Sequence, residues 1–164
     1  MIRLLLIAVL TLLSWTTAQT KGQAPIQEAS NSWTAVDIPS DWTRPRNGAS
    51  ENGFRWYRCV IKPPTQWAGK NLELYVEPVD DAREVYLNGV KIASVGAMPP
   101  KFRSGLGEDE KYTVSAKHFI AGEENVLAIR VYRKYPRGGF NVAAPIFTDG
   151  NKAISTKGKW QHII

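Results

Sequence analysis

The sequence has a single cysteine, Cys59, among 164 residues, and only two histidines, His118 and His162. One thiol forms no internal disulfide, so a folded domain must be held together by its hydrophobic core. Cys59 lies inside an apolar run, which favours a buried small hydrophobic side chain over a reactive thiol. His118 follows a predicted strand and His162 lies close to the C-terminus, and we expect structural roles for both.

Motifs that carry enzymatic chemistry are also missing. The chain contains no Gly-x-Ser-x-Gly nucleophile elbow and no zinc-binding His-Glu-x-x-His. The glycines of Ser-Gly-Leu-Gly at 104–107 are not followed by Lys-Ser or Lys-Thr, so they make no phosphate loop. We therefore expect no catalytic residues, no cofactor and no metal ligands in this chain.

Acidic residues cluster in two places, Asp80–Asp81 and residues 108–110. A glycosidase needs two carboxylates about 5 to 10 Å apart across a sugar. Neighbouring residues in extended backbone point to opposite faces, so neither run supplies a facing pair alone. We interpret these acids as turn and surface residues. A small hydrolase with acids brought together by loops, or a structural calcium site, stays an alternative.

The long hydrophobic run is confined to the N-terminus. Residues 4–13 are apolar, Arg3 precedes them, and Thr-Thr-Ala ends at position 18. This is the pattern of a secretory signal peptide, and the run is too short to span a bilayer comfortably. We predict a signal peptide over 1–18, a flexible lead over 19–31, an exported location, either periplasmic or extracellular, and no membrane partner after cleavage.

The charge is positive but dispersed. The chain has 21 basic and 15 acidic residues, and losing Arg3 with the leader changes the net charge from +6 to +5. One basic cluster occurs at Arg130, Arg133, Lys134 and Arg137. No nucleic-acid recognition motif accompanies it, so we expect no nucleic-acid partner.

Between these features lies a clear β-hairpin signal, VDDAREVYLNGVKIASVG at 79–96. Two apolar runs are joined only by Asn88 and Gly89, the pair that best tolerates positive φ at both central positions of a tight turn. Other segments alternate in the same way: Leu72 and Leu74 against polar neighbours, and Leu127 and Ile129 within a buried strand. Seven or eight short strands without an amphipathic helix predict an antiparallel β-sandwich over 32–149.

Five segments, in this order, resemble the sugar-binding domain of the family 2 glycoside hydrolases. They are VDIP at 36–39 leading to Trp42, GFRWYR at 53–58, NLELYV at 71–76, YLNGVKI at 86–92 and EENVLAIRV at 123–131. The resemblance covers about residues 33–147 and implies a galactose-binding-like jelly roll. It also implies a non-catalytic domain, because catalysis in that family resides in a separate barrel.

Carbohydrate binding requires an aromatic ring that packs against the apolar face of a sugar, and polar side chains that hydrogen-bond to its hydroxyls. The loop residues suited to this are Trp42, Arg103, Tyr135, Arg137 and Phe140, with Trp67 as a further candidate. Trp33, Trp56, Tyr57 and Tyr86 are predicted to lie in the core. We expect a carbohydrate-binding or accessory module whose partner is an oligo- or polysaccharide or an adjacent catalytic domain. The main alternative is a purely structural domain that packs against a glycosidase, esterase or dehydrogenase-type module.

Residues 150–164 end on apolar side chains without a closing turn. We interpret them as a tail, or as the start of a following segment in a longer protein.

Overall fold

The computed structural model describes residues 33–41, 53–79, 81–108, 111–134, 139–140 and 143–163. These ranges contain twelve β-strands and two single 3-10 turns, at Thr65–Trp67 and Ala116–His118. The strands are β1 (Thr34–Ile38), β2 (Ser40–Asp41), β3 (Gly53–Ile61), β4 (Leu72–Tyr75), β5 (Ala82–Leu87), β6 (Val90–Val95), β7 (Lys111–Val114), β8 (Asn125–Arg133), β9 (Gly139–Phe140), β10 (Ile146–Thr148), β11 (Ala153–Ser155) and β12 (Gly158–Ile163).

Two antiparallel sheets make the body of the fold. A six-stranded sheet has the order β1-β12-β3-β8-β5-β6, and a four-stranded sheet has the order β11-β10-β4-β7. A short separate pairing joins β2 to β9. Successive strands repeatedly cross from one sheet to the other, as in a jelly roll. The predicted antiparallel β-sandwich is confirmed.

The core lies between the inner faces of these two sheets. On β3 and β8, alternate side chains such as Tyr57 and Ile129 point inward and are buried. Leu72 and Leu74 of β4 face them from the second sheet and are buried as well. Burial of alternate residues is the signature of strands with one face in the core, which confirms the predicted alternation.

The predicted hairpin is formed by β5 and β6. Asn88 has a φ of 50° and Gly89 a φ of 81°, so both central turn residues occupy the left-handed region. This is the conformation expected of a two-residue turn that follows the twist of its strands.

The C-terminal segment belongs to the sandwich, so the predicted boundary at residue 149 is corrected. β12 lies inside the six-stranded sheet, between β1 and β3. Trp160 is 1% exposed, and its indole Nε1 donates a hydrogen bond of 2.8 Å to the Thr156 carbonyl. The reason is the alternation over 158–163, which turns Trp160 inward while Lys159 and Gln161 stay exposed.

The predicted signal peptide (1–18) and flexible lead (19–31) lie outside the described residues, as do Trp42, Tyr135 and Arg137. Within the described ranges, no helix has the length and apolar character needed to cross a membrane.

Candidate functional site

Of the five predicted ligand-binding residues, only Arg103 has a side chain that the structure describes. It lies in the loop 96–108 between β6 and β7, where its backbone exchanges two hydrogen bonds with Ala97, of 2.8 and 3.0 Å. Its side chain is 61% exposed, and its guanidinium pairs with the carboxylate of Glu108. Phe140 is placed only by its backbone, opposite Ser40 in the β2–β9 pairing. Trp67 is fully buried, so its candidacy as a ligand contact is wrong: the 3-10 turn directs its ring into the core.

The loop that carries Arg103 is held against the ends of three strands. The Gly105 amide donates to the Asp81 carbonyl over 2.7 Å, and the Asp81 amide donates to the Tyr132 carbonyl over 3.0 Å. A Cβ on Gly105 would lie 2.3 Å from Cγ1 of Val95, so only glycine allows this close approach. The loop is therefore held against the starts and ends of β5, β6 and β8.

The described acids of the two clusters, Asp81 and Glu108, also accept hydrogen bonds from backbone amides near this loop. The Asp81 side chain is buried, and its Oδ2 accepts a hydrogen bond of 2.9 Å from the Lys134 amide. Glu108 accepts a 3.3 Å hydrogen bond from the Gly96 amide as well as the pairing with Arg103. Glu108 thus binds backbone within the loop, whereas the Asp81 carboxylate binds the backbone just after β8. Asp80, Asp109 and Glu110 lie outside the described residues.

A row of rings covers the outer face of the six-stranded sheet, next to this loop. Phe54 is opposite Tyr132 in the β3–β8 register, and their centroids are 5.1 Å apart. Phe102 extends the row from the loop, 5.3 Å from Tyr132. Trp56 follows Phe54 along β3 and lies 5.3 Å from Tyr86. We call these five residues the outer aromatic surface.

Charged groups lie over and between these rings. The Arg130 guanidinium is 4.2 Å from the Phe54 centroid and 5.8 Å from that of Trp56. The ammonium of Lys134 lies 5.1 Å from the Phe102 centroid. These distances are those of cation–π contacts, which fix the cations in place against the sheet.

Glu84 connects the cations to the tyrosine at the end of the row. Arg130 and Lys91 each approach its carboxylate to 3.3 Å, and the Tyr86 hydroxyl donates to it over 3.0 Å. Burial alone would raise the pKa of Glu84, but the hydrogen bonds from Tyr86 and Lys91, with the charge of Arg130, lower it. Burial and the bond to Glu84 raise the pKa of Tyr86 to about 12. Glu84 is therefore an ionised acceptor and Tyr86 a neutral donor at neutral pH.

Most of this surface was missed by sequence reasoning. Tyr57 lies in the core as predicted. Tyr86 is buried but belongs to the outer face, where it packs with Trp56. Trp33 and Trp56 are only half-buried and lie on the outer side of the sheet. The signal was the period of two in GFRWYR, which places Phe54 and Trp56 on the face opposite Tyr57. Their partners on β8 become visible only through the strand register.

Half-buried rings beside fixed cations and an acceptor carboxylate can contact a molecule with both apolar and hydroxylated faces. They can equally form the centre of a protein interface, where aromatic residues and arginine are enriched. Among the described residues, no three His, Cys, Asp or Glu side chains group closely enough to hold a metal ion.

No protein-family model matches the chain. Among curated proteins, Beta-galactosidase BoGH2A of Bacteroides ovatus is 29% identical over 115 residues, which is 63% of this chain and 12% of that protein. A glycosyl hydrolase family 2 member from Bacteroides cellulosilyticus has the same fold, with a TM-score of 0.55 at 18% identity over 77% of this chain. The Bacteroides uniformis beta-glucuronidase aligns over 92% of this chain, with a TM-score of 0.54 at 14% identity.

The resemblance to family 2 glycoside hydrolases is confirmed. The chain spans only 12% of the curated family 2 relative, and 18% and 16% of the two solved structures. It therefore corresponds to a small part of those glycosidases rather than to a whole enzyme. At 14% and 18% identity, the structural likeness shows a shared fold alone.

Proposed function

We propose that the chain is a non-catalytic accessory module of an exported carbohydrate-active protein, and that it binds carbohydrate through the outer aromatic surface. The observation that carries this proposal is the row of half-buried rings from Phe102 to Trp56, in which Arg130 lies over both Phe54 and Trp56. Glu84 pairs with Arg130 beside these rings. The relationship to family 2 glycosidases supports the substrate class, because the names of those relatives describe enzymes acting on glycosides.

A bound sugar ring needs contacts of two kinds, apolar and hydrogen-bonding. One face of a pyranose carries C–H groups that pack against an aromatic ring, and its hydroxyls need both donors and acceptors. Trp56 and Tyr132 supply the apolar contact, Arg130 donates and the Glu84 carboxylate accepts. Because these charged groups already hold one another in place, little ordering is required when a ligand binds.

Arg103 is included in the same proposed site because it follows Phe102 in the loop. Phe102 is the ring that extends the surface from the loop, and the Arg103 side chain is largely exposed. We propose that Arg103 contacts the sugar hydroxyls beyond Phe102, and that the predicted residues Trp42, Tyr135, Arg137 and Phe140 widen the contact.

A second candidate function is packing against a neighbouring domain of a longer protein. It is favoured by the cations that already lie over Phe54 and Phe102, since these reduce the ring area open to a sugar. Aromatic residues with arginine at their centre are also typical of binding hot spots between proteins.

Affinity electrophoresis through gels containing a panel of polysaccharides tests the first proposal. At least one neutral polysaccharide should retard the chain, and Trp56→Ala should remove most of that retardation. Tyr75→Ala is a matched control, because Tyr75 is an exposed ring on the other sheet. Like the rings of the outer aromatic surface, it lies near a cation, the Lys111 ammonium at 5.5 Å, and its hydroxyl donates a hydrogen bond to Glu73. Arg103→Ala, compared with Lys101→Ala, tests the loop.

The outcome against carbohydrate binding is also clear. If no neutral polysaccharide retards a chain with a normal melting temperature, the proposed ligand is wrong. Binding of a hydrophobic dye that Trp56→Ala abolishes and Tyr75→Ala preserves would then favour the packing function.

A further inference from the structure

The six-stranded sheet opens between β3 and β12. Among the described residues, the two strands pair only at Arg58–Gln161, Tyr57–His162 and Trp56–Ile163. Beyond that point residues 158–160 remain paired with β1, and residues 59–61 remain paired with β8. Because the strands separate there, their facing edges border a gap rather than each other.

Two adjoining hollows occupy this gap. One, of about 480 Å³, lies between Arg58–Val60 and Lys159–Gln161. The other, of about 280 Å³, continues past Lys62 to the segment 154–157, and both share Cys59, Val60 and Lys159. We call the two together the β3–β12 cleft. The larger hollow lies within the range of small-ligand sites, roughly 300 to 1,000 Å³.

The floor of the cleft is apolar and partly open to solvent. Val60 is 60% exposed although β3 is an interior strand of the six-stranded sheet. Val126, its partner on β8, and the buried Trp160 complete the floor. Exposed aliphatic surface inside a concave site favours a ligand with an apolar face.

The rim is basic. Lys62, Lys157 and Lys159 are exposed, and none of the described residues that line the cleft is an aspartate or glutamate. Asp37 is the cross-strand neighbour of Lys159, but no ion pair joins these two described side chains. Positive charge concentrated at a concave site attracts anions.

Arg58 is the fixed member of this basic rim. Its Nε donates a hydrogen bond of 2.8 Å to Oε1 of Gln161, and its guanidinium lies 4.1 Å from the centre of the Trp33 ring. Gln161 is on the opposite wall, so this bond closes the narrow end of the cleft. The guanidinium is thereby oriented before any ligand arrives, in the geometry that suits a carboxylate or sulfate.

We propose that the β3–β12 cleft binds an acidic oligosaccharide segment, a sugar chain that carries carboxylate groups. This rests on the proposed carbohydrate-binding function and adds a second site with its own ligand class. The sugar ring lies against Val60 and Val126, and its carboxylates face Arg58 and the lysines. Its hydroxyls, which both donate and accept, match the backbone groups along the two separated strand edges.

Polygalacturonate and its fully methyl-esterified form are the probes, because they share a backbone and differ in charge. Affinity electrophoresis at low salt should show retardation by polygalacturonate and little by the ester. Replacing Lys62, Lys157 and Lys159 by Gln should weaken binding at least tenfold. The matched control replaces the exposed Lys101, Lys117 and Lys152, which makes the same charge change outside the cleft and should weaken binding less than threefold.

A second variant tests the floor, and a third separates the two proposals. Val60→Glu places an acid in the cleft at an exposed strand position and should abolish retardation without lowering the melting temperature. Trp56→Ala, which tests the outer aromatic surface, should leave polygalacturonate binding unchanged. A chain that binds polygalacturonate but no neutral polysaccharide would therefore count against the outer aromatic surface and not against the cleft.

Three results would overturn the proposal. Equal loss in the two lysine sets would mean that binding reports overall charge, and equal binding of the methyl ester would remove the anion requirement. Equal binding of polyglutamate would show that the cleft selects charge without the sugar. In each case the lysines would be understood as protection of open strand edges against pairing with other chains.

Discussion

The side-chain amide of Asn88 donates a hydrogen bond of 2.8 Å to Oδ1 of Asn125, which lies 37 positions later in the chain. Asn88 also donates to the His118 carbonyl over 3.0 Å and accepts from the Val126 amide over 2.9 Å. Asn125 is buried and donates to the Ile120 carbonyl over 2.9 Å. The tip of the β5–β6 hairpin is therefore fastened to the start of β8 by a network of amide side chains.

This network predicts non-additive stability changes. Asn88→Gly keeps the positive φ of the turn but removes the side chain, and Asn125→Ala removes its partner. Each should lower the free energy of unfolding by about 1–3 kcal/mol, because buried polar groups lose their partners. The double variant should cost less than the sum of the two. Urea unfolding measures all three, with Asn151→Ala at an exposed turn as control; strict additivity would contradict the network.

The placement of the C-terminal strand predicts a large effect at Trp160. Trp160→Ala should destabilise the protein by about 3–5 kcal/mol, since it leaves a cavity where a large ring was buried. Lys159→Ala, the exposed neighbour on the same strand, should change stability by less than about 0.5 kcal/mol. Similar melting temperatures for the two variants would show that β12 is dispensable.

Cys59 should be unreactive in the native protein. Its side chain is buried, and burial raises the pKa of the thiol, so almost no thiolate forms near neutral pH. A thiol reagent such as dithionitrobenzoate should label the protein slowly in buffer and completely within minutes in concentrated urea. Rapid labelling without denaturant would contradict the packing of β3.

His162 predicts a pH dependence of stability. Burial is the main cause that lowers the pKa of His162 below its usual 6.5, and the positive charge of Arg55 lowers it further. The unfolded chain therefore binds a proton that the native state resists, so the free energy of unfolding falls as the pH drops below about 6.5. His162→Gln should flatten the curve between about pH 7 and pH 5, whereas His118→Gln serves as the comparison. An unchanged slope in His162→Gln would contradict the assignment.

Local signals were enough to predict much of the sandwich. Asn88 and Gly89 determine a two-residue turn by their tolerance of positive φ, and Leu127 and Ile129 indicate a buried face by their spacing. Such features depend on neighbouring residues alone, so they can be inferred from a single chain. The resemblance to family 2 glycoside hydrolases then supplied the jelly-roll order that periodicity does not determine.

The parts that sequence reasoning missed depend on long-range pairing. β12 joins β1 with β3 across more than a hundred positions, so its six residues look like a ragged end when considered alone. Phe54 and Tyr132 become neighbours only through the β3–β8 register, and Trp67 is buried because a short turn directs it inward. Three of the five predicted ligand residues lie outside the described ranges, so their roles stay predictions.

Binding at the outer aromatic surface is tested most directly by NMR mapping of the labelled chain with an oligosaccharide prepared from a neutral polysaccharide that retards it. The largest shift changes should occur at Phe54, Trp56, Phe102 and Tyr132, with the indole N–H of Trp56 among them. Changes centred on the four-stranded sheet around Tyr75, or none at saturating oligosaccharide, would contradict binding at the outer aromatic surface.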